Sequence, residues 1–246
     1  MPSVQDLADI LLGWRPTPGV LVVGLTGGVA SGKSTLAGAL AEAIEASPGR
    51  PCVERVGTDG FLFPNAILVE RGLLNRKGVP ETYDWEAMHA ALRLVRRGPA
   101  PFPGYSHLLY DVDPALTRTI DPPDVLIVEG LGLDRQTPLD VLIYLDAEEA
   151  DQEAWYVKRF LEFCASGRED ETSFYARFRD MEPDAVEQLA VMVWTKVNRP
   201  NLREHIVPQR AAADIVVSKD TDHSIAAIRL NRPAEWAGPV ARSGSS

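Results

Sequence analysis

Residues 20–35, VLVVGLTGGVASGKST, constrain the fold more than any other part of the chain. An apolar run typical of a buried strand leads into a glycine-rich turn, and an alanine-rich segment with helical periodicity follows at residues 36–44. The spacing Gly27-x4-Gly32-Lys33-Ser34 satisfies the Walker A pattern, in which glycines let backbone N–H groups turn toward a phosphate. The positive end of the following helix favours the same anion. The stretch predicts a nucleotide-phosphate site, and the alternative is an ordinary strand–helix turn.

The motif assigns roles to individual side chains of this loop. Lys33 is expected to reach the β and γ phosphates of ATP, and the Ser34 hydroxyl is expected to bind Mg²⁺. The predicted phosphate-binding residues are Gly27, Gly28, Val29, Ala30, Ser31, Gly32, Lys33, Ser34 and Thr35.

Composition excludes several classes of partner. A formal net charge of −10 over 246 residues argues against nonspecific binding to nucleic acid or to an acidic membrane, both of which require a basic face. No apolar run approaches the roughly 18 residues of a membrane span, and the first residues lack the pattern of a signal peptide. Cys52 and Cys164 fit no zinc or redox spacing, which favours reduced thiols. We therefore expect a cytoplasmic protein.

Strand and helix patterns alternate along the chain. Continuous apolar runs at residues 124–128 and 141–145 are typical of strands covered on both faces, and further strands are predicted at 20–25, 52–58 and 214–217. Helices are predicted at 4–14, 36–44, 85–97, 147–165, 183–198 and 224–230, and residues 61–84 are expected to form a long surface excursion. Strands alternating with helices predict an α/β fold, a doubly wound parallel sheet, and the helices after residue 147 are expected to form a helical lid. The predicted divisions are an N-terminal helix and linker over 1–19, one domain over 20–236 with its lid at about 147–205, and a flexible tail over 237–246.

Two acids follow predicted strands, and the carboxyl ends of parallel strands meet at one edge of a sheet. Asp59 comes directly after its strand and is a candidate to accept the proton of an attacking hydroxyl; the alternative is a turn or helix-capping aspartate. Glu129 ends the run DVLIVEG and resembles the carboxylate of a Walker B strand that holds Mg²⁺; the alternative is a solvated strand-end acid.

Phosphoryl transfer needs a cation beyond the loop lysine, and the segment WYVKRFLEF offers Arg159. The alternative is a solvated arginine on a helix surface. Aromatic residues concentrate around it, which favours a ligand pocket, although they also suit the core of a helical lid. These residues are Trp155, Tyr156, Phe160, Phe163, Phe174, Tyr175 and Phe178. His107 is open to both a structural and a ligand-binding interpretation.

Several characteristic segments follow one another along the chain, namely GGVASGKST, TDGFLFPN at 58–65, ERGLLNRKGVPETYD at 70–84, YSHLLYDV at 105–112, PDVLIVEGL at 123–131, WYVKRFLEF at 155–163 and KVN at 196–198. With these segments in this order, the chain resembles the bacterial type I pantothenate kinases, P-loop kinases related to uridine kinases and phosphoribulokinases. The resemblance implies the P-loop kinase fold, a doubly wound parallel α/β sheet with a helical lid. The resemblance implies transfer of the γ-phosphoryl group of MgATP to the primary hydroxyl of pantothenate, the first step toward coenzyme A.

The resemblance also implies site residues. Asp59 would lie beside the substrate hydroxyl, Arg159 would stabilise the transferring group, and Lys33 completes the catalytic set. Contacts with pantothenate are implied for Tyr105, His107, Tyr156 and Asn198. Substrate contacts are also expected of Phe174 and Phe178, which stand where the family often has tyrosines. The family's feedback inhibition by coenzyme A uses an arginine where this chain has Gly38, so we expect weak inhibition. A homodimer is a possible assembly.

Two rival functions stay open at this level. A related P-loop kinase acting on uridine or another small alcohol or sugar would share the phosphate-binding residues. A nucleotide-operated regulatory protein would not need an acceptor pocket, and no guanine-binding N-K-x-D motif is present.

Overall fold

The computed structural model describes residues 2–167 and 170–232. Its main sheet has six strands in the order β2-β5-β1-β6-β7-β8, of which the first five are parallel and β8 is antiparallel to β7. The strands are β1 (Leu21–Gly27), β2 (Val53–Gly57), β5 (Val125–Gly130), β6 (Val141–Asp146), β7 (Ile215–Lys219) and β8 (Ile225–Leu230). A separate antiparallel pair consists of β3 (Ala100–Ser106) and β4 (Asp111–Ile120).

Helices cover the sheet and extend beyond it. They are α1 (Val4–Trp14), α2 (Lys33–Glu45), α3 (Asn65–Glu70), α4 (Trp85–Leu94), α5 (Glu149–Ser166), α6 (Pro183–Val193), α7 (Arg199–Asn201) and α8 (Gln209–Ala212). Ser3 begins α1 with a capping box, since it accepts from the Asp6 backbone N–H while the Asp6 side chain accepts from the Ser3 backbone N–H. Two π-helical turns, Trp194–Asn198 and Leu202–Ile206, flank α7. No helix in the part of the chain that the model describes is long and apolar enough to cross a bilayer.

Alternate residues of β1 enter two different cores, as a strand with both faces covered requires. Leu21, Val23 and Leu25 pack with α1 and α2, whose apolar faces are fully buried there. Val22 packs on the other side with α4 and with Trp194 of the first π turn. The predicted doubly wound arrangement is confirmed, and α1 has a defined place on α2.

The lid, residues 149–206, has a small apolar core of its own. Cys164, Tyr175 and Val186 are buried in it, and partly buried rings surround them, namely Phe160, Phe163, Phe174 and Phe178. The structural interpretation of the aromatic concentration is therefore correct for part of this set.

The predicted elements agree with the structure except at five places. The helix predicted at 224–230 is wrong, because Ile225–Leu230 forms an edge strand paired with β7. The helix predicted at 183–198 becomes π-helical from Trp194, and the one predicted at 85–97 ends at Leu94. The β3–β4 pair was not predicted, and the excursion at 61–84 contains α3 and short 3₁₀ turns. No disulfide joins Cys52 and Cys164, and the tail predicted at 237–246 lies outside the described residues.

Three aspartates hold the amino-terminal ends of the parallel strands together. Each precedes a strand and accepts a backbone N–H from a neighbouring strand or its approach, and each pairs with arginine. Asp124 accepts from Cys52 and pairs with Arg15; Asp140 accepts from Val22 and pairs with Arg96; Asp214 accepts from Leu142 and pairs with Arg135 and Arg232.

Asp214 generates a stability prediction, because its side chain is 0% exposed and both oxygens are bound by guanidinium groups. Asp214→Asn would remove the charge that compensates Arg135 and Arg232, and we expect a loss of about 3 kcal/mol in the free energy of unfolding, measured by urea titration. Glu149→Gln, which weakens an exposed ion pair with Arg203, is the control and should cost much less. Equal losses in the two variants would contradict this account of the sheet edge.

Candidate active site

The predicted phosphate loop joins β1 to α2 with the geometry that its glycines require. Gly32 caps α2 in the left-handed region at φ 86°, and no side chain caps the helix, so its first N–H groups are available to an anion. The Lys33 ammonium folds back over the loop and donates to the carbonyl oxygens of Gly28 at 2.7 Å and Gly27 at 3.2 Å. Burial lowers the pKa of Lys33 to about 8, against the opposing charges of Glu129 and Asp59.

The two strand-end acids lie at the same edge of the sheet as this loop. Glu129 is in register with Leu25 of β1 on one side and with Gly57 of β2 on the other, and Ser34 Oγ donates to its Oε1 at 2.8 Å. Asp59 lies in the 3₁₀ turn that follows β2 directly. Both acids raise the pKa of Lys33, so the structure brings Lys33, Ser34, Asp59 and Glu129 together.

Arg159 and His107 reach the same gap from two further elements. The positive charge of Arg159, on α5, helps to lower the pKa of Lys33. The central carbon of its guanidinium lies 5.1 Å from the centroid of the Phe163 ring. His107 follows β3, and its pKa is lowered first by desolvation and further by Arg159, against the charge of Asp59. Five separate parts of the chain therefore contribute titratable groups to one gap.

The predicted acceptor contacts lie where the β3–β4 pair meets the lid. Tyr105 packs edge-on against His107 with ring centroids 5.2 Å apart, and Tyr110 stacks on Phe174 at 4.3 Å. A backbone hydrogen bond of 2.8 Å from Phe174 N to Leu108 O joins the two elements. The hairpin tip and the lid thus form one continuous aromatic wall.

Tyr156 and Asn198 are neighbours within the lid. Burial raises the pKa of Tyr156 to about 12, and hydrogen bonding from the Asn198 side chain opposes that shift. Asn198 Nδ2 is buried and has no partner of good hydrogen-bond geometry within the described ranges. Phe178 packs against Phe160 and Phe174 in the lid core, and its role as a substrate contact stays a prediction.

Lys77 was missed by the sequence analysis. Its side chain is only 3% exposed, and its ammonium donates to Asn65 Oδ1 and Tyr110 O, each at 2.7 Å, between the rings of Tyr105 and Tyr110. Burial lowers its pKa to about 8, opposed by Asp111 and Asp59. The segment around it has no periodicity, so no sequence signal distinguished this lysine from a solvated one.

A second missed group approaches the phosphate loop from the β7–β8 turn. A Cβ built on Gly32 would lie 3.2 Å from Lys219 Nζ and 3.8 Å from His223 Nδ1. The His223 ring stacks on Trp155 of α5 with centroids 3.9 Å apart. The sequence analysis missed this turn because it predicted a helix at 224–230 in place of β8, and only a strand antiparallel to β7 requires a tight turn between them.

Gly38 bears on the predicted weak inhibition by coenzyme A. A Cβ at this position would lie 3.1 Å from Nη1 of Arg55, so a guanidinium from β2 already occupies the adjacent space. The inhibition itself stays a prediction.

Comparisons with known proteins give concordant results, although no family model matches the chain. A protein from Sorangium cellulosum named pantothenate kinase is 40% identical over 242 residues, which cover 94% of this chain and 79% of that protein. One of the same name from Myxococcus xanthus is 40% identical, over 86% of this chain and 72% of its own.

Solved structures match the same fold. A protein of Silicibacter sp. TM1040, described as a candidate fructose transport system kinase, has a TM-score of 0.70 at 29% identity, over 88% of this chain and 99% of its own. A D-glycerate 3-kinase from Cryptococcus neoformans has a TM-score of 0.63 at 16% identity, over 94% of this chain and 99% of its own, which supports the fold alone.

The contact between Gly28 and Gln152 generates a prediction for the loop. Gln152 is 3% exposed, its Nε2 donates to Ala147 O, and its Oε1 would lie 1.6 Å from a Cβ on Gly28. Gly28→Ala should therefore push α5, which carries Arg159, away from the loop and reduce kcat by about 100-fold, measured with saturating ATP.

Removal of the obstacle should restore activity, so Gly28→Ala with Gln152→Ala should be faster than Gly28→Ala alone. Gly13→Ala is the control, since a Cβ there meets nothing within 4 Å. Wild-type activity in Gly28→Ala, or no recovery in the double variant, would contradict the proposed contact.

Proposed function

This chain belongs to the pantothenate kinase family, and on that premise we propose that it transfers the γ-phosphoryl group of ATP to the primary hydroxyl of pantothenate. The product would be 4′-phosphopantothenate, with ADP as the leaving group. The observation that carries the proposal is the convergence of Lys33, Asp59 and Arg159 on one gap, since each comes from a different part of the chain.

Lys33 and the phosphate loop would bind the donor. The ammonium is held by its own loop carbonyls, and a terminal phosphate offers a stronger acceptor with a full negative charge. Because a nearby anion favours the protonated form, ATP binding should raise the pKa of Lys33 above 8 and keep it cationic at neutral pH.

Ser34 and Glu129 would hold Mg²⁺. They present a hydroxyl and a carboxylate oxygen 2.8 Å apart at the edge of the phosphate loop, and such hard oxygen donors suit this ion. Bound there, Mg²⁺ would neutralise part of the charge of the phosphates.

Asp59 and Arg159 would act on the transfer itself. As the pantothenate oxygen forms its bond to phosphorus and the bond to ADP breaks, the hydroxyl proton passes to the Asp59 carboxylate. Arg159 stabilises the negative charge on the oxygens of the transferring group. The charges of both residues already act on the pKa of Lys33 in the unliganded protein, so little reorganisation would be required.

The aromatic wall would orient the acceptor. Tyr105, His107, Tyr156 and Asn198 supply polar groups within it, and Asn198 Nδ2 is a buried donor that a substrate oxygen can satisfy. An alcohol held in line with the γ-phosphate reacts far faster than one that arrives by collision. Phe174 would close the wall at the hairpin, and Phe178 would support it from the lid core.

The proposal is tested by a coupled ADP-release assay in which pantothenate, uridine and ribulose 5-phosphate are offered separately. We expect turnover with pantothenate and a fall in kcat of roughly 10²- to 10⁴-fold in Asp59→Asn, with ATP binding retained. Asp121→Asn, an exposed acid at the opposite edge of the sheet, is the matched control. Turnover with uridine and none with pantothenate would overturn the substrate assignment, and full activity in Asp59→Asn would overturn the mechanism.

A further inference from the structure

Tyr83 makes a direct contact with the group to which the proposed function gives the proton transfer. Its phenol Oη donates to Asp59 Oδ1 at 3.2 Å, across 24 residues of sequence. Within the described chain no other hydrogen bond reaches the Asp59 carboxylate, so Oδ2 is left for a ligand.

The backbone fixes Tyr83 next to the segment that follows Asp59. Phe63 N donates to Thr82 O at 2.9 Å and Asp84 N donates to Phe61 O at 2.8 Å, which makes an antiparallel bridge between Leu62 and Tyr83. These two backbone hydrogen bonds hold the segment that carries Tyr83 against the segment that follows Asp59, so the phenol lies next to the carboxylate.

Packing limits the motion of the Tyr83 ring. The residue is 4% exposed, and its ring lies 4.8 Å from the ring of Trp85 at an interplanar angle of 33°. The indole of Trp85 is itself held by a hydrogen bond of 2.8 Å from Nε1 to Pro80 O. A buried ring with a fixed neighbour keeps its hydroxyl in one direction.

The protonation state of Tyr83 suits a donor. Burial and the adjacent charge of Asp59 raise the pKa of Tyr83 well above its usual value. The phenol therefore keeps its proton, and the carboxylate accepts it in a hydrogen bond.

We propose that Tyr83 is a positioning residue that holds the Asp59 carboxylate by Oδ1 and directs Oδ2 toward the acceptor hydroxyl. This inference rests on the proposed function, because it assigns Tyr83 an effect only through Asp59. A carboxylate without this contact would rotate among several orientations, and only some of them accept the hydroxyl proton in line with phosphoryl transfer.

Tyr83→Phe tests the role because it keeps the ring and removes only the hydroxyl. We expect kcat to fall by about 10-fold while the KM for ATP and for the acceptor changes by less than about threefold. Tyr144→Phe is the matched control, since Tyr144 is also a buried tyrosine, 2% exposed, on β6. Thermal unfolding of both variants controls for loss of folded enzyme.

A double-mutant cycle gives the readout that a purely structural role would not change. If Tyr83 acts only through the Asp59 carboxylate, Tyr83→Phe should lower kcat by about 10-fold in the otherwise unchanged enzyme and by less than about twofold in an Asp59→Asn background.

An equal fall in kcat on Tyr83→Phe with and without the Asp59 carboxylate would overturn the inference, and so would wild-type kcat in Tyr83→Phe. The comparison is made with whichever acceptor the wild-type enzyme phosphorylates. Failure of pantothenate as a substrate would therefore count against the proposed function and leave the test of Tyr83 intact.

Discussion

The placement of the Lys33 ammonium among the carboxyl ends of parallel strands is the constraint on which the rest of the site depends. Burial lowers its pKa to about 8, and the charges of Glu129 and Asp59 oppose that shift. These acids reach it because β5 lies between β1 and β2 in register, so Glu129 is level with Leu25 and Gly57. Asp124, Asp140 and Asp214 hold the opposite edge through backbone and arginine contacts. The contacts of these three aspartates hold the amino-terminal ends of the strands together. The register of the strands then places Glu129 and Asp59 at the opposite, carboxyl-terminal edge.

The lid and the β3–β4 pair add what the sheet cannot supply. Helix α5 contacts the phosphate loop through Gln152 and carries Tyr156 and Arg159 on its following turns. The hairpin tip contacts the lid through the Leu108–Phe174 hydrogen bond and the Tyr110–Phe174 stack. On the proposed function, the acceptor would bind among these rings, next to the charged gap. Separate elements would then provide the donor site and the acceptor site.

Sequence predicted those parts of the site whose positions follow from local rules. The residue spacing at Gly27–Lys33 is that of a known phosphate loop and predicts its conformation. Asp59 and Glu129 each follow an apolar run, and the carboxyl ends of such strands lie at one edge of a parallel sheet. Lys77 and Tyr83 were not identified, because their importance arises from tertiary contacts with Tyr110 and Asp59 that no periodicity encodes. The strand Ile225–Leu230 was taken for a helix because its pairing with β7, and not its own short sequence, decides its conformation. For the same reason, the sequence could not separate the aromatic residues that pack in the lid core from those beside the charged gap.

A crystal structure with pantothenate and a non-hydrolysable ATP analogue tests the central claim most directly. The account predicts that Lys33 leaves the carbonyls of Gly27 and Gly28 for the terminal phosphate. It also predicts that the primary hydroxyl of pantothenate lies about 2.6–3.2 Å from Asp59 Oδ2, with Tyr83 still bound to Oδ1. A structure in which Lys33 keeps its loop contacts and the acceptor hydroxyl lies beyond the reach of Asp59 would contradict it.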